Sequence, residues 1–142
     1  MLISSIRDEY YSLVDEFMHA VRSRWPNVLV QFEDFDTTNA LPLLQKYQNT
    51  HLCFNDDIQG TGAVVLAGIM SALRVQGKSP SRDLGNQRIV CVGAGSAGLG
   101  VIQGLVMGMR QLGIAEEKAR KCFWILDKDG LLGMRTLCER VE

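Results

Sequence analysis

The chain has 142 residues, 46% of them hydrophobic and 22% charged, with a formal net charge of −1. That is the size and composition of one ordinary globular domain, and it excludes a disordered chain. The near-zero charge excludes the basic footprint of a nucleic-acid binder.

In chain order, Ser4 or Ser5 is placed to cap a helix reaching about Arg24, with Ile6, Tyr10, Leu13, Phe17 and Val21 at helical spacing on one apolar face. Trp25-Pro26 stops it, because a residue before proline avoids the α region. Residues 28–32 read as a buried strand that ends at Glu33 and Asp34. A second helix is predicted over 39–47, with Pro42 tolerated in its first turn. Residues 52–54 form a short strand, again ending at carboxylates, Asp56 and Asp57. From 61 to 76 the residues are small and apolar almost all round, which predicts a buried helix. Residues 77–81 are a loop. Residues 88–92 form a β-rich run leading into Gly93, followed by a helix over about 96–112 and a short extra helix over 115–121. The next strand, 122–126, ends at Asp127. Both of these strands are apolar throughout, as strands covered on both faces would be.

The run Gly93-Ala94-Gly95-Ser96-Ala97-Gly98 sits between a strand and a helix, with a second strand ending in an acid beyond it. That order is the context a dinucleotide fingerprint needs. Gly93 allows the tight turn, Gly95 lets the backbone approach a pyrophosphate, and Gly98 lets the helix pack close to the strand. The helix opening at Ser96 then offers free N–H groups and a positive dipole end to the phosphates. Asp127 is suited to accept hydrogen bonds from the adenosine ribose, which favours NAD, since a 2′-phosphate would meet a like charge. Asp127 lies 29 residues past Gly98, where the fingerprint usually places its acid about 20 residues on. The segment 115–121 absorbs the difference. Lys128 keeps NADP open, because a lysine tolerates a 2′-phosphate. The competing reading is a structural glycine turn, since Gly100, Gly104 and Gly108 already suit close helix packing.

Glu33-Asp34 and Asp56-Asp57 each follow a short apolar strand. Taken singly, such pairs are helix caps or solvated acids. Taken together, they lie at strand C-terminal ends, where α/β sheets place ligands. Neighbouring acids repel, so a cluster needs a compensating cation, and carboxylate oxygens suit Mn²⁺ or Mg²⁺. A hard cation beside a nicotinamide cofactor points to oxidation and decarboxylation of a hydroxy acid. His19 and His51 have no partner at metal-ligand spacing and read as structural. Cys53, Cys91, Cys122 and Cys138 form no CxxC pair, and the first three lie in apolar runs, as small buried hydrophobes in a reducing compartment would. Residues 1–24 are charged throughout, so no targeting segment is expected. The apolar stretches near 62–75 and 97–109 are interrupted by glycine, serine and glutamine and read as too short and too mixed to span a bilayer. A soluble chain without a membrane or nucleic-acid partner is therefore expected.

The run Trp25-Pro26-Asn27 through Phe32-Glu33-Asp34-Phe35, then Phe54-Asn55-Asp56-Asp57-Ile58-Gln59-Gly60-Thr61, then Gly93 to Gly98, resembles the malic enzyme family in motif, order and spacing. The resemblance covers nearly the whole chain. It implies an α/β architecture: residues 1–58 as the end of the malate- and metal-binding domain, and 59–142 as the start of a Rossmann-type NAD-binding domain. It implies Glu33, Asp34 and Asp57 as metal ligands, and Asp56 as the acid supporting an active-site lysine. Asp56 and Asp57 are thus the catalytic candidates. Gly93, Ala94, Gly95, Ser96, Ala97, Gly98, Asp127 and Lys128 are the cofactor-binding candidates, and the lysine after Asp127 is similar to the NAD-using branch. The implied reaction is oxidative decarboxylation of malate to pyruvate with NAD(P)⁺ and Mn²⁺ or Mg²⁺, in the cytoplasm or mitochondrial matrix, by a homo-oligomer when full length.

The family's general acid tyrosine, general base lysine and substrate-binding arginine would precede Met1, and its later asparagines would follow Glu142. The expectation is therefore a central piece of a malic enzyme subunit, inactive on malate and poorly stable alone. Lys46 and Tyr47 lie between the acidic islands but match none of the family's catalytic motifs. Two other functions compete: a nucleotide-binding or interaction module without chemistry, and a different dehydrogenase whose acids are caps.

Overall fold

The structure is a computed structural model that describes residues 2–132. Helix α1 (Leu2–Arg24) begins before Ser4 and Ser5, which therefore lie inside its first turn and not at a cap. The expected stripe holds in part: Tyr10 packs on the core, Leu13 and Phe17 do not, and the Ile6 side chain lies outside the described residues. Met18 is fully buried, with Tyr10, Tyr11 and Val14 packed against the same cluster, whereas Leu13 is 66% and Phe17 55% exposed. The apolar surface of α1 is wider than one stripe, and the partners available, Phe32, Leu43 and Tyr47, select the Tyr11–Val14–Met18 side.

Strand β1 (Val30–Phe32), helix α2 (Thr37–Tyr47) and strand β2 (Cys53–Asn55) form a βαβ unit with parallel strands. Val28 and Leu29 stay outside the strand and are exposed. Helix α2 starts two residues earlier than the sequence pattern predicts, because Asp36 caps it by accepting the Thr38 N–H at 2.8 Å. Pro42 is consequently in the helix interior and not in its first turn.

After β2 the chain makes one π-helical turn, Asp56–Gly60, and runs directly into helix α3 (Thr61–Val75). The sequence pattern predicts a buried α3. Among its residues, however, only Gly62 and Leu73 are buried, and Val64 and Val75 are well exposed. The reason is that, among the described residues, α3 has one main helical partner along its length, besides a contact of its C-terminal end with the segment that follows it. That partner is helix α5 (Ser96–Gln111), and the contact is made through glycines. A Cβ on Gly62 would come 2.6 Å from the Gly100 carbonyl oxygen, and one on Gly100 would come 2.3 Å from the Ile58 carbonyl oxygen. The glycines of α5 thus serve close packing, and Gly100 seats the π-turn directly on α5.

By length and composition alone, the continuous helical stretch Asp56–Val75, 20 residues long, could cross a membrane. The expectation that this segment is too short therefore fails on length, because the π-turn extends the helix beyond its apolar sequence run. In the fold it lies along α5 and begins at Asp56 and Asp57.

Helix α4 (Pro80–Asp83) and a 3₁₀ turn (Leu84–Asn86) lead into β3 (Ile89–Val92). Helix α5 then crosses to helix α6 (Glu116–Arg120) and strand β4 (Phe123–Asp127), parallel to β3, and a tight turn adds the antiparallel β5 (Gly130–Leu131). Leu73, Leu84, Val106, Met109, Ala119 and Cys122 form the core here. The two strands were expected to be covered on both faces. Among the described residues one face is open: Val90, Val92 and Trp124 are exposed, while Ile89 and Phe123 pack on the core. Alternation along a strand sends successive side chains to opposite faces, and α5 covers only one of them. Cys122 is buried and Cys53 and Cys91 partly so, all three as free thiols whose pKa burial raises. Cys138 lies outside the described residues.

Candidate metal and nucleotide site

Parallel pairing explains why acids 23 positions apart meet. The register sets Phe32 against Asn55, so the next residues of both strands leave the sheet at the same end. Glu33 and Asp34 follow β1, and Asp56 and Asp57 follow β2. Carboxylate oxygens of Glu33, Asp34 and Asp57 all lie within 4.8 Å of one another. Asp34 adopts φ +57°, the left-handed region that non-glycine residues avoid. That turn aims its backbone N–H at Asp57 Oδ2, 2.9 Å away. Gln31 Nε2 donates to Glu33 Oε2. Among the described residues no lysine or arginine forms an ion pair with any of the three acids. The cluster is a set of three hard oxygen donors, with Glu33 and Asp34 exposed and Asp57 half-buried, which fits a divalent cation that keeps further oxygen ligands.

The π-turn that carries Asp57 is held by residues the sequence analysis passed over. Asn55, 0% exposed, accepts the Ile58 N–H through Oδ1 at 3.0 Å, and its own N–H donates to Gln59 Oε1 at 2.9 Å. This is a reciprocal cap, and an asparagine just before an acidic helix start is its sequence signal. Because Oδ1 is engaged, the amide cannot flip, and Nδ2 is buried without a partner. Asn55→Ala is expected to cost about 2 kcal/mol, since it orphans a buried N–H. Asp36→Ala, which uncaps α2 at the surface, is expected to cost about 1 kcal/mol. Urea melts of the two variants check the order. Asp56 folds over Gly60: a Cβ there would sit 1.9 Å from Asp56 Oδ1.

The Gly93–Gly98 turn follows β3. Gly93 has φ +105°, and its N–H donates to the Leu126 carbonyl at 2.7 Å, tying the turn to β4. A Cβ on Gly98 would come 2.2 Å from the Gly93 carbonyl oxygen. Gly95 is different. Its φ is −77°, open to any residue, and a Cβ on it would meet only Thr37 Oγ1, at an ordinary 3.6 Å. Neither backbone conformation nor internal packing requires glycine there. Ala94 is buried, Ser96 opens α5, and Ala97 is exposed. Asp127 ends β4 and pairs with Gly130, and Lys128 is exposed beside it. Helix α6 occupies the extra length between Gly98 and Asp127.

The two sites are neighbours. Thr37, at the start of α2, brings Oγ1 to 3.4 Å from Ser96 Oγ at the start of α5. Thr37 was not singled out from the sequence, since nothing local marks a contact 59 positions away. The histidines stay outside both sites: His19 is exposed and its Nδ1 bonds the Asp15 carbonyl, while His51 Nδ1 bonds Thr50 Oγ1.

Comparison with known proteins matches this layout. The family model described as "Malic enzyme, N-terminal domain" matches residues 5–48, and "Malic enzyme, NAD binding domain" matches residues 58–139. The chain is 50% identical over 129 residues to the mitochondrial NAD-dependent malic enzyme of Solanum tuberosum, covering 88% of this chain and 20% of that one. It is 47% identical over 124 residues to the NADP-dependent malic enzyme of Dictyostelium discoideum, covering 87% and 22%. Its fold is similar to the crystal structure of Entamoeba histolytica malic enzyme, with a TM-score of 0.66, 25% identity, and coverage of 89% of this chain and 25% of that one. The chain thus spans about a fifth of the length of the curated relatives it matches. With both domain models matched in sequence order and the larger covering more than half the chain, this chain belongs to the malic enzyme family.

Proposed function

We propose that this chain contributes the metal and nucleotide half-sites of an enzyme that oxidatively decarboxylates malate to pyruvate with NAD(P)⁺ and Mn²⁺ or Mg²⁺. The observation that carries the reading is the convergence of Glu33, Asp34 and Asp57 within 4.8 Å, beside the fingerprint turn. When bound, a divalent cation held by Glu33, Asp34 and Asp57 would supply Lewis-acid polarisation, and a dinucleotide held at the Gly93–Gly98 turn would supply the hydride acceptor. The chain's own residues hold and orient these groups. Glu33, Asp34 and Asp57 present one carboxylate oxygen each to the cation. Asp57 also fixes the Asp34 backbone through the 2.9 Å bond. Asp56, next to it, is the acid set to hold a proton-transferring lysine. The Gly93–Gly98 turn and the N-terminus of α5 cradle the pyrophosphate, and Asp127 accepts from the ribose.

The boundary between the two domains falls at residues 58–59 in this reading, so the π-turn links them. The compartment is the cytoplasm or the mitochondrial matrix. The potato relative's name supports the latter.

A chimera tests the reading: this chain replaces the matching segment of the potato enzyme. Mn²⁺-dependent formation of pyruvate and NADH from malate is the expected result. A chimera that folds and binds NAD⁺ but shows no metal-dependent turnover sinks it. In the same chimera Asp127→Ser is expected to move the NADP⁺/NAD⁺ preference about tenfold towards NADP⁺, the effect of removing one like charge worth about 1.4 kcal/mol. An unchanged ratio of kcat/KM values would remove Asp127 as discriminator.

A further inference from the structure

The acidic pair is framed by aromatic rings anchored on a helix that carries none of the ligands. Phe32 immediately precedes Glu33, and Phe35 immediately follows Asp34. Their rings meet edge to face, with centroids 5.5 Å apart and planes at 80°. The Tyr47 ring stacks on Phe32, with centroids 6.0 Å apart and planes at 26°. Phe32 and Tyr47 are each 3% exposed. The Tyr47 hydroxyl donates to Asp15 Oδ1 on α1, and Lys46 Nζ reaches Asp15 Oδ2 at 2.5 Å. One carboxylate on α1 therefore collects two consecutive side chains from the end of α2.

This arrangement matters because of what lies on the other side of Phe32. Asp34 sits at φ +57°. A non-glycine residue there costs about 1–2 kcal/mol and persists only where its surroundings over-determine it. The Asp57 carboxylate holds Asp34 through its N–H, and the contact between Phe32 and Phe35 ties together the two ends of the turn that carries Glu33 and Asp34. A tyrosine ring free to shift would let Phe32 follow, and Glu33 and Asp34 would turn with it.

We infer that Asp15 and Tyr47 are positioning residues for the cation site, holding the Phe32–Phe35 frame so that Glu33 and Asp34 face Asp57. The inference rests on the metal reading proposed above. It concerns residues that touch no ligand and act through Phe32. The hydrogen bonds from Lys46 and Tyr47 lower the Asp15 pKa, and burial together with the Asp15 acceptor raises that of Tyr47. Both groups thus keep the protonation states the anchor needs at neutral pH, the carboxylate ionised and the phenol protonated.

The test is Mn²⁺ and NAD⁺ affinity of this chain carried in the potato-enzyme chimera, and of its variants there, by electron paramagnetic resonance of free Mn²⁺ and by calorimetry, with circular dichroism as the check of folding. Tyr47→Phe keeps the stacked ring and loses only the anchor. Asp15→Ala, at a partly exposed position on α1, removes the acceptor. Each is expected to weaken Mn²⁺ binding about tenfold, the range for groups that orient metal ligands, with NAD⁺ affinity unchanged. Asp15→Asn retains an oxygen acceptor for Tyr47 and is expected to restore affinity to within about threefold of wild type. Folded Tyr47→Phe and Asp15→Ala variants that bind Mn²⁺ like wild type overturn the inference and leave the metal reading standing. A wild-type chain that binds NAD⁺ but no Mn²⁺ overturns the metal reading and the inference together.

Discussion

Asp57→Ala is expected to weaken Mn²⁺ binding by about 100-fold or more, since even groups that only orient a ligand are worth 10–100-fold. NAD⁺ affinity is expected to hold. Asp57 has two tasks in the structure. One oxygen accepts the Asp34 N–H at 2.9 Å, and its carboxylate stands within 4.8 Å of oxygens from both Glu33 and Asp34. Alanine removes the Asp57 oxygens and also frees the Asp34 N–H, so two of the three clustered acids are affected by one change. Asp57→Asn separates the tasks. The amide oxygen still accepts from Asp34, but the negative charge is gone. A loss with Asn close to that with Ala assigns the effect to ligand charge, whereas near-wild-type binding by Asn assigns it to the backbone turn. Titrating free Mn²⁺ against each variant decides between them. Retained tight binding by Asp57→Ala would falsify the three-acid site.

Two glycines of the fingerprint are expected to fail in opposite ways. In Gly98→Ala the new Cβ would lie 2.2 Å from the Gly93 carbonyl oxygen and 3.4 Å from Cys91 Sγ. The obstacle is backbone, which cannot swing aside, so the turn must open. The expected cost is about 3 kcal/mol of stability, at the upper end for overpacking. In Gly95→Val the backbone is compatible, and the side chain enters space bounded only by Thr37. Stability is expected to change by about 0.5 kcal/mol or less. NAD⁺ affinity is expected to fall about 100-fold, because the valine occupies the place where a pyrophosphate must approach the backbone. Urea melts and NAD⁺ calorimetry on the two variants read both axes. A Gly95→Val chain that binds NAD⁺ normally means that the turn is a structural glycine turn only. A Gly98→Ala chain as stable as wild type would show that the helix can retreat from β3.

The two halves touch through the same packing. The π-turn bearing Asp56 and Asp57 rests on Gly100 of α5, and α5 begins at the phosphate turn. Thr37 and Ser96 meet at 3.4 Å.

The sequence by itself determined the strands' ends, the glycine turn and the family. Those features are written in local chemistry: acids directly after apolar runs, glycines at fixed offsets, an acid after the second strand. The helix opening at Ser96 follows from these signals, whereas the parallel pairing of the strands is seen only in the fold. What the sequence could not decide was which of several apolar faces would find a partner. Leu13 and Phe17 have the same spacing as buried residues, yet α1 is rotated to bury Met18 because Tyr47 and Phe32 stand on that side. The apolar helix α3 and the open face of β3 and β4 make the same point, since hydrophobic pattern states what can be buried and not what covers it. Only the tertiary structure decided that Asp34 adopts a positive φ, that Asn55 caps a π-turn, and that Asp15 reaches Tyr47 from 32 positions away. Each depends on a partner brought close by strand register or helix docking, and such proximity has no signature in the residues nearby.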